Sequence, residues 1–454
     1  MRNNAIKNGD SRRGFIKKAI AGATAVSFGG VLSGYSPKSY RRILGANEKV
    51  RVAVMGVNSR GFALANNFAA LSDCEVGIVC DVDSRAIEKC AASVGKIQDA
   101  KPAVLEDFRK ALEDKQIDAL VVATPDHWHA PAAILASKAG KHVYLEKPCS
   151  HNPSEGELVV AAAEKYGNII QLGTQRRSWP NVIQAMDALK NGVIGRPYFA
   201  KGWYANNRES IGKGKTTSVP AWLNFDLWQG PAPRRDFKDN LLHYNWHWFW
   251  HWGTGESLNN GTHTIDLMRW GLGVDYPVRV TSGGGRYRYQ DDWETPDTQV
   301  ITMEFANNTA ITWEGRSCNG RGVEGSSGGI VFYGDLGALQ IDGANSYKVF
   351  DLDNKLVKSA ENGFSVKPLD KMSPSQTLDA IHLQNFLDAI RKRIPLNAGI
   401  LGGHQSTLLC QLGNIALRCG GTLDINPENG HIKNKKEALK FWTREYQKGW
   451  EPVL

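Results

Sequence analysis

Val50 to Met55, spelled Val-Arg-Val-Ala-Val-Met, runs straight into Gly56-Val57-Asn58-Ser59-Arg60-Gly61. The amphipathic stretch Phe62 to Phe68 follows at once. A β-rich run, a glycine turn and a helix bring backbone N–H groups and the positive end of a helix dipole to one point. The group that suits such a point is a pyrophosphate. Asn58 stands where G-x-G-x-x-G has its middle glycine, so the turn alone is weak evidence. A second apolar run, Val76 to Cys80, ends at Asp81, 25 residues after Gly56. A carboxylate there accepts hydrogen bonds from ribose hydroxyls and repels a 2′-phosphate. NAD is therefore the expected cofactor and NADP the lesser expectation, kept open by Arg85. A third apolar run, His142 to Leu145, delivers Glu146-Lys147-Pro148. A lysine at the end of a buried strand can donate to a substrate oxygen or relay its proton as the carbon is oxidised.

The elements that must position these groups alternate regularly. Ala119 to Ala123 is the near-continuous apolar strand of a sheet buried on both faces, and it enters Thr124-Pro125-Asp126-His127-Trp128-His129. A helix through Ala132 to Ser137 ends at Gly140, before the strand that carries Lys147. The strand–helix rhythm from 50 to 172 predicts a doubly wound parallel sheet, with ligands collecting at the carboxyl ends of its strands.

These motifs together resemble the Gfo/Idh/MocA oxidoreductase family. The resemblance rests on G-V-N-S-R-G (56–61), C-D-V-D (80–83), A-T-P-D-H-W-H (123–129) and G-K-H-V-Y-L-E-K-P (140–148). It continues through G-T-Q-R-R (173–177) and G-T-H-T-I-D (261–266). It implies an α/β protein: a Rossmann domain over 48–172, then a domain over 173–454 with a large, mostly antiparallel sheet. Terminal helices, His382 to Arg391 among them, are expected to pack back towards the first domain. Cofactor contacts are expected at Gly56, Asn58, Ser59, Arg60, Gly61, Asp81, Thr124, Pro125, His129, Glu146 and Lys147. The resemblance places Lys147 beside the nicotinamide and the reacting carbon. Many members carry D-x-x-x-H on a helix as a second catalytic element. His263 matches its histidine, but Asn259 stands at the aspartate position and cannot ionise. On one helix the two would share a face. The acid/base work then shifts to His263, whose unperturbed pKa suits it. Glu256 is a substitute carboxylate.

Ten of the 14 tryptophans lie between 203 and 313, densest in Tyr244-Asn245-Trp246-His247-Trp248-Phe249-Trp250-His251-Trp252. Read as a strand, this run puts its four tryptophans on one face. Aromatic faces stack on sugar rings, and most of these residues also suit core packing. Trp128, Gln175, Arg176, Tyr204, Trp248 and Glu256 are the expected substrate contacts. His243, His247 and His251 recur every four residues, but no suitably spaced carboxylate completes a metal site, and none is expected. Val300 to Phe305 and Thr309 to Trp313 flank Asn307-Asn308 as a hairpin, and Gly328 to Tyr333 precedes the turn Gly334-Asp335.

The chain of 454 residues is too long for one ordinary core, and its 42% hydrophobic and 22% charged content is that of a globular protein. Its formal charge of +9 is largely N-terminal: residues 1–36 hold six basic residues against Asp10 alone. No phosphate-tracking stripe is left, so nucleic acid is not an expected partner. Seven scattered cysteines without a C-x-x-C pair suggest neither a disulfide framework nor structural zinc. Ser11-Arg12-Arg13-Gly14-Phe15-Ile16-Lys17-Lys18 before a short Gly- and Ala-rich stretch resembles a twin-arginine export signal over 1–36, with a linker at 37–47. No apolar run reaches spanning length, so stable membrane anchoring is not expected. An exported nicotinamide enzyme meets no free cofactor pool and should hold its cofactor tightly. The expected activity is hydride transfer between that cofactor and a secondary alcohol of a sugar, glycoside or polyol. Two alternatives remain: a redox-neutral glycosidase working through a transient keto-sugar, and a non-catalytic sugar-binding protein. Family members are commonly dimers or tetramers, so a homodimer or homotetramer is expected.

Overall fold

The computed structural model describes residues 49–361, 363 and 376–454. The stretch expected to be an export signal and linker, 1–47, lies outside them. The first sheet is built from β1 (Val50–Met55), β2 (Cys74–Cys80), β3 (Ala103–Leu105), β4 (Ala119–Val122), β5 (His142–Leu145) and β6 (Ile170–Leu172). All neighbours are parallel, in the order β3-β2-β1-β4-β5-β6. The helices that connect them are α1 (Arg60–Ala69), α2 (Ser84–Ile97), α3 (Phe108–Glu113), α4 (Asp126–Lys138) and α5 (Pro153–Tyr166). Alternation along the strands explains why both faces are covered. Ala53, Leu120 and Val122 enter one apolar core, while Val52, Val54, Ala119 and Val121 enter the other.

The chain continues through α6 (Pro180–Lys190), β7 (Pro197–Ala205), α7 (Phe225–Gln229), α8 (Glu256–Asn259) and α9 (Gly261–Leu272). There follow β8 (Arg279–Gly285), β9 (Thr298–Phe305), β10 (Thr309–Arg316), β11 (Gly328–Gly334), β12 (Gly337–Asp342), β13 (Tyr347–Phe350) and β14 (Leu356–Ala360). The last elements are α10 (Gln376–Lys392), α11 (Ile400–Arg418) and β15 (Thr422–Asp424). The second sheet runs β14-β13-β12-β11-β7-β10-β9-β8-β15, antiparallel throughout except where β7 meets β10. The β9–β10 hairpin pairs Phe305 with Thr309, and Asn308 takes the left-handed conformation that its turn requires (φ 58). In β10 every second residue is buried, against Ile265, Met268 and Leu412 of the helices behind.

The aromatic run Tyr244 to Trp252 is not a strand. It forms a single 3-10 turn over Asn245–Trp248 and then a loop. Its tryptophans are divided: Trp248 stacks on Trp293 at 3.9 Å, while Trp252 joins a separate cluster with Trp228 and Phe249. Nor do Asn259 and His263 share one helix, since the chain breaks at Asn260 between α8 and α9.

Helix α10 lies on the first sheet, where Leu383, Phe386 and Leu387 complete the core around Phe68 and Tyr144. His382 anchors it: its Nε2 donates to the Leu172 carbonyl at 3.0 Å, and its Nδ1 accepts from Ser178 Oγ at 2.7 Å. That pattern requires a neutral ring, and burial pushes the pKa of His382 down to about 4. Burial also holds His142 and His404 at about 4. An unfolded chain protonates these rings below pH 6.5 and the folded one does not, so stability is lost as pH falls from there and the loss is complete near pH 4. Thermal unfolding followed across this window should show a falling midpoint; a flat midpoint would contradict the assignment.

Candidate active site

A cleft of about 1520 Å³, open to solvent, runs along the carboxyl ends of β1, β2, β4 and β5. Gly56, Asn58, Ser59 and Arg60 line it from the first turn. Gly56 has φ 83, and a Cβ there would lie 2.7 Å from the Ala123 carbonyl oxygen. Gly61 does not line the cleft. A Cβ on it would meet the Gly56 oxygen at 1.8 Å, so its part is to let α1 approach β1. Asp81 closes this end, its carboxylate accepting from Val57 N at 2.6 Å and Asp83 N at 3.0 Å. Thr124 and Pro125 form the wall at the end of β4, with the buried Thr124 hydroxyl unpaired within the protein. His129 ties two turns together, its ring nitrogens lying 2.8 Å from the Thr124 carbonyl oxygen and 2.5 Å from that of Pro148.

Arg85 is not available to a 2′-phosphate. Its guanidinium pairs with Asp83 at 2.8 Å and lies over Trp222, 3.4 Å from the ring centroid. The segment carrying Trp222 closes over this end. Ser84 N donates to Trp222 O and Asn224 N to Val82 O, both at 3.0 Å, and His243 reaches Asp83 at 2.8 Å. Leu223 and Leu227 thereby join the lining. Trp128 lies at the same place, its indole donating to the Trp228 carbonyl and its ring edge-on to Phe108. It belongs with the dinucleotide end.

Glu146 and Lys147 leave β5 in opposite roles. Glu146 accepts from Arg60 Nε at 2.8 Å and Gln175 Nε2 at 3.1 Å, and Arg60 also forks onto Asp379 of α10 at 2.6 and 2.8 Å. Lys147 Nζ donates to the Asn259 carbonyl at 2.8 Å and to its Oδ1 at 3.3 Å. Burial lowers the Lys147 pKa, against the opposing charges of Glu146, Asp126 and Glu256. His263, Tyr244, His247 and Asn260 complete this end. Burial, reinforced by the positive charges of Lys147, Arg176 and Arg60, drives the His263 pKa well below 6.5. The unperturbed value expected from sequence is therefore wrong for this site. His263 is neutral, and its buried Nδ1 has no partner in the protein.

Four expected substrate contacts lie elsewhere. Arg176 stacks on Trp179, Tyr204 bonds Asn206, Trp248 is buried against Trp293, and Glu256 is buried against Arg208. Of the six, Trp128 and Gln175 line the cleft. The three spaced histidines have separate partners, namely Asp83, the Tyr244 carbonyl and the Pro233 carbonyl. Sequence reasoning gave no site role to Asp126, Asn260, Tyr244 or Asp379. Asp379 alone left a signal, as an acid on the apolar stripe with Leu383 and Phe386.

The family model described as the NAD-binding Rossmann fold of an oxidoreductase family, GFO_IDH_MocA, matches residues 50–174. Its companion, the C-terminal alpha/beta domain of that family, matches residues 214–407. The chain belongs to the Gfo/Idh/MocA oxidoreductase family. Its cofactor is NAD, and the glycine turn, Asp81 and the free Thr124 hydroxyl fit that group. A glycosyl hydrolase family 109 protein of Saccharopolyspora erythraea is 29% identical over 48% of this chain and 52% of its own length. An alpha-N-acetylgalactosaminidase of Shewanella oneidensis is 31% identical over 28% of this chain and 30% of its own. The chain thus spans about half or less of the length of these curated relatives. A levoglucosan dehydrogenase solved with NADH and levoglucosan superposes with a TM-score of 0.66 at 18% identity, over 83% of this chain and 99% of that one, a likeness of fold alone.

Gly173 tests the site's construction. A Cβ there would lie 2.7–2.8 Å from the Glu146 carboxyl group. Gly173→Ala should displace that carboxylate from Arg60, cost about 1–3 kcal/mol of stability and weaken NAD binding. Denaturant unfolding and NAD titration measure both, and an unchanged NAD affinity would contradict the assigned role of Glu146.

Proposed function

We propose that this protein is an exported, NAD-dependent oxidoreductase acting on a secondary hydroxyl of a sugar, glycoside or polyol. The observation that carries the reading is the meeting of Lys147, Asn259 and His263 in the cleft opened by the glycine turn and Asp81. Bound NAD supplies the two-electron acceptor for oxidation of the carbinol carbon. Lys147, its proton loosened by burial, exchanges that proton with the substrate oxygen more readily than a free lysine does. Asn259 orients the ammonium through its side-chain and backbone oxygens. Neutral His263 offers an unpartnered nitrogen to a second hydroxyl or to a proton being removed. Trp222, Leu223 and Leu227 cover the dinucleotide end, an arrangement suited to a cofactor that stays bound between turnovers. The Ser11-Arg12-Arg13-Gly14-Phe15 pattern supports export.

A second reading has support of its own in the curated relatives named as glycosyl hydrolases. Oxidation of a sugar hydroxyl to a ketone acidifies the neighbouring C–H. A neutral base such as His263 can then remove that proton, the aglycone leaves, water adds, and the ketone is reduced again.

Incubation of the purified protein with free sugars and nitrophenyl glycosides separates the two. Net absorbance near 340 nm is expected for a dehydrogenase, and nitrophenol release with no net NADH for the glycosidase. Lys147→Met should lower whichever activity is found by about 10²–10⁴-fold while leaving NAD bound. Bound NAD with neither activity across the panel would sink both readings.

A further inference from the structure

We propose that Glu256 is a positioning carboxylate for this site: acting through Asn259, it helps set the pH at which Lys147 gives up its proton. The proposal rests on the reading of Lys147 as the proton-handling group. Position 259 is uncharged and touches Lys147 directly, at 3.3 Å from Nζ to Oδ1. An amide has one acceptor end and one donor end, and the surroundings determine which way it faces. Glu256 does this. Its Oε1 takes the Asn259 Nδ2 hydrogen at 3.4 Å and a further one from Asn260. With the amide nitrogen drawn towards the carboxylate, the oxygen is left facing the ammonium. The Tyr244 hydroxyl accepts from the same nitrogen at 3.3 Å and reinforces that orientation.

The other Glu256 oxygen is also fully engaged. Arg208 Nε donates to Oε2 at 3.0 Å and Ser317 Oγ at 2.9 Å. The Arg208 and Glu256 side chains are only 12% and 4% exposed, so water screens the pair weakly. The guanidinium is confined by the rings of Tyr244 and Trp248, about 5 Å away, and Trp248 is fixed by its stack on Trp293. The aromatic run thus braces the ion pair.

Lys147 is faced by Glu146 from its own strand end, Asp126 from α4, Glu256 from α8 and Arg60 from the first turn, with His247 and His263 nearby. Glu146 and Asp126 act on the lysine by charge and are themselves bonded to Arg60, Gln175 and the Thr254 hydroxyl, as Glu256 is to Arg208. Glu256 is the carboxylate that reaches the lysine through the residue bonded to it. In chemical terms it supplies, from one layer further back, the negative charge that Asn259 lacks.

The test reads the lysine rather than turnover. Competitive acetylation of Lys147 by acetic anhydride, followed by mass spectrometry across pH on the protein as purified, gives its titration midpoint. Removing a nearby negative charge destabilises the ammonium, so Glu256→Gln should lower the midpoint by about one pH unit. Glu256→Asp, which keeps the charge, should restore most of the difference. Because the single change leaves Arg208 buried and unpaired, the Glu256→Gln, Arg208→Gln double variant provides a neutral pair that can still pack. It should shift the midpoint in the same direction but by less, because the opposing charge of Arg208 is removed with it. A midpoint within about 0.2 units of the parent in the folded variants, or one that rises, would overturn the proposal. Failure of the oxidoreductase reading would show instead as absent turnover with the predicted midpoint shift intact.

Discussion

A single guanidinium holds the catalytic end of this fold together. Arg60 leaves the glycine turn at the start of α1 and is gripped by Glu146 at the end of β5 and by Asp379 in the terminal helix α10. Asp379 also accepts from Asn67, so two residues of α1 close on this one carboxylate of α10. With one carboxylate removed the guanidinium still has the other, but it is then held from one side only and no longer ties β5 to α10. The residues nearest the chemistry are neighbours in this network. Ser59 precedes Arg60, Lys147 follows Glu146, and Gln175 bonds Glu146.

Around that anchor the cleft divides into two electrostatic regimes. At the dinucleotide end the groups are acidic or backbone donors, with Asp81 and the first-turn N–H groups suited to hydroxyls and a pyrophosphate. At the other end, burial lowers the pKa of a lysine and of a histidine. The Lys147 proton is loosened and His263 is kept neutral, each positive charge in the region making another harder to hold.

Much of this could be read from the chain because local signals and tertiary demands agreed there. The runs at 50–55, 119–122 and 142–145 are too apolar for any place but the middle of a sheet covered on both faces. Asn307-Asn308 specifies a hairpin by turn chemistry alone. The aromatic run misled because alternation at 244–252 satisfies a strand period as well as a loop does. What decides its shape is distant: Trp248 stacks on Trp293, and Gly253 presses against the His247 carbonyl. Asn259 and His263 line one cleft, but the single helix expected to carry them breaks at Asn260. The titration of His263 depends on Lys147, Arg176 and Arg60, and neither the identity of those neighbours nor the burial follows from spacing. Tyr204, Trp248 and Glu256, expected at the substrate, stand behind the site and support it.

If Glu146 and Asp379 act through one guanidinium, they must be energetically coupled although no contact joins them directly. A double-mutant cycle on NAD binding, with Glu146→Gln, Asp379→Asn and the double variant, measures that coupling. Each single change should weaken NAD binding. The double variant should lose less than their sum by about 1 kcal/mol or more, because one loss already unties the bridge that makes the other carboxylate matter. Losses that add within about 0.5 kcal/mol would contradict the account, leaving two independent carboxylates and no shared anchor.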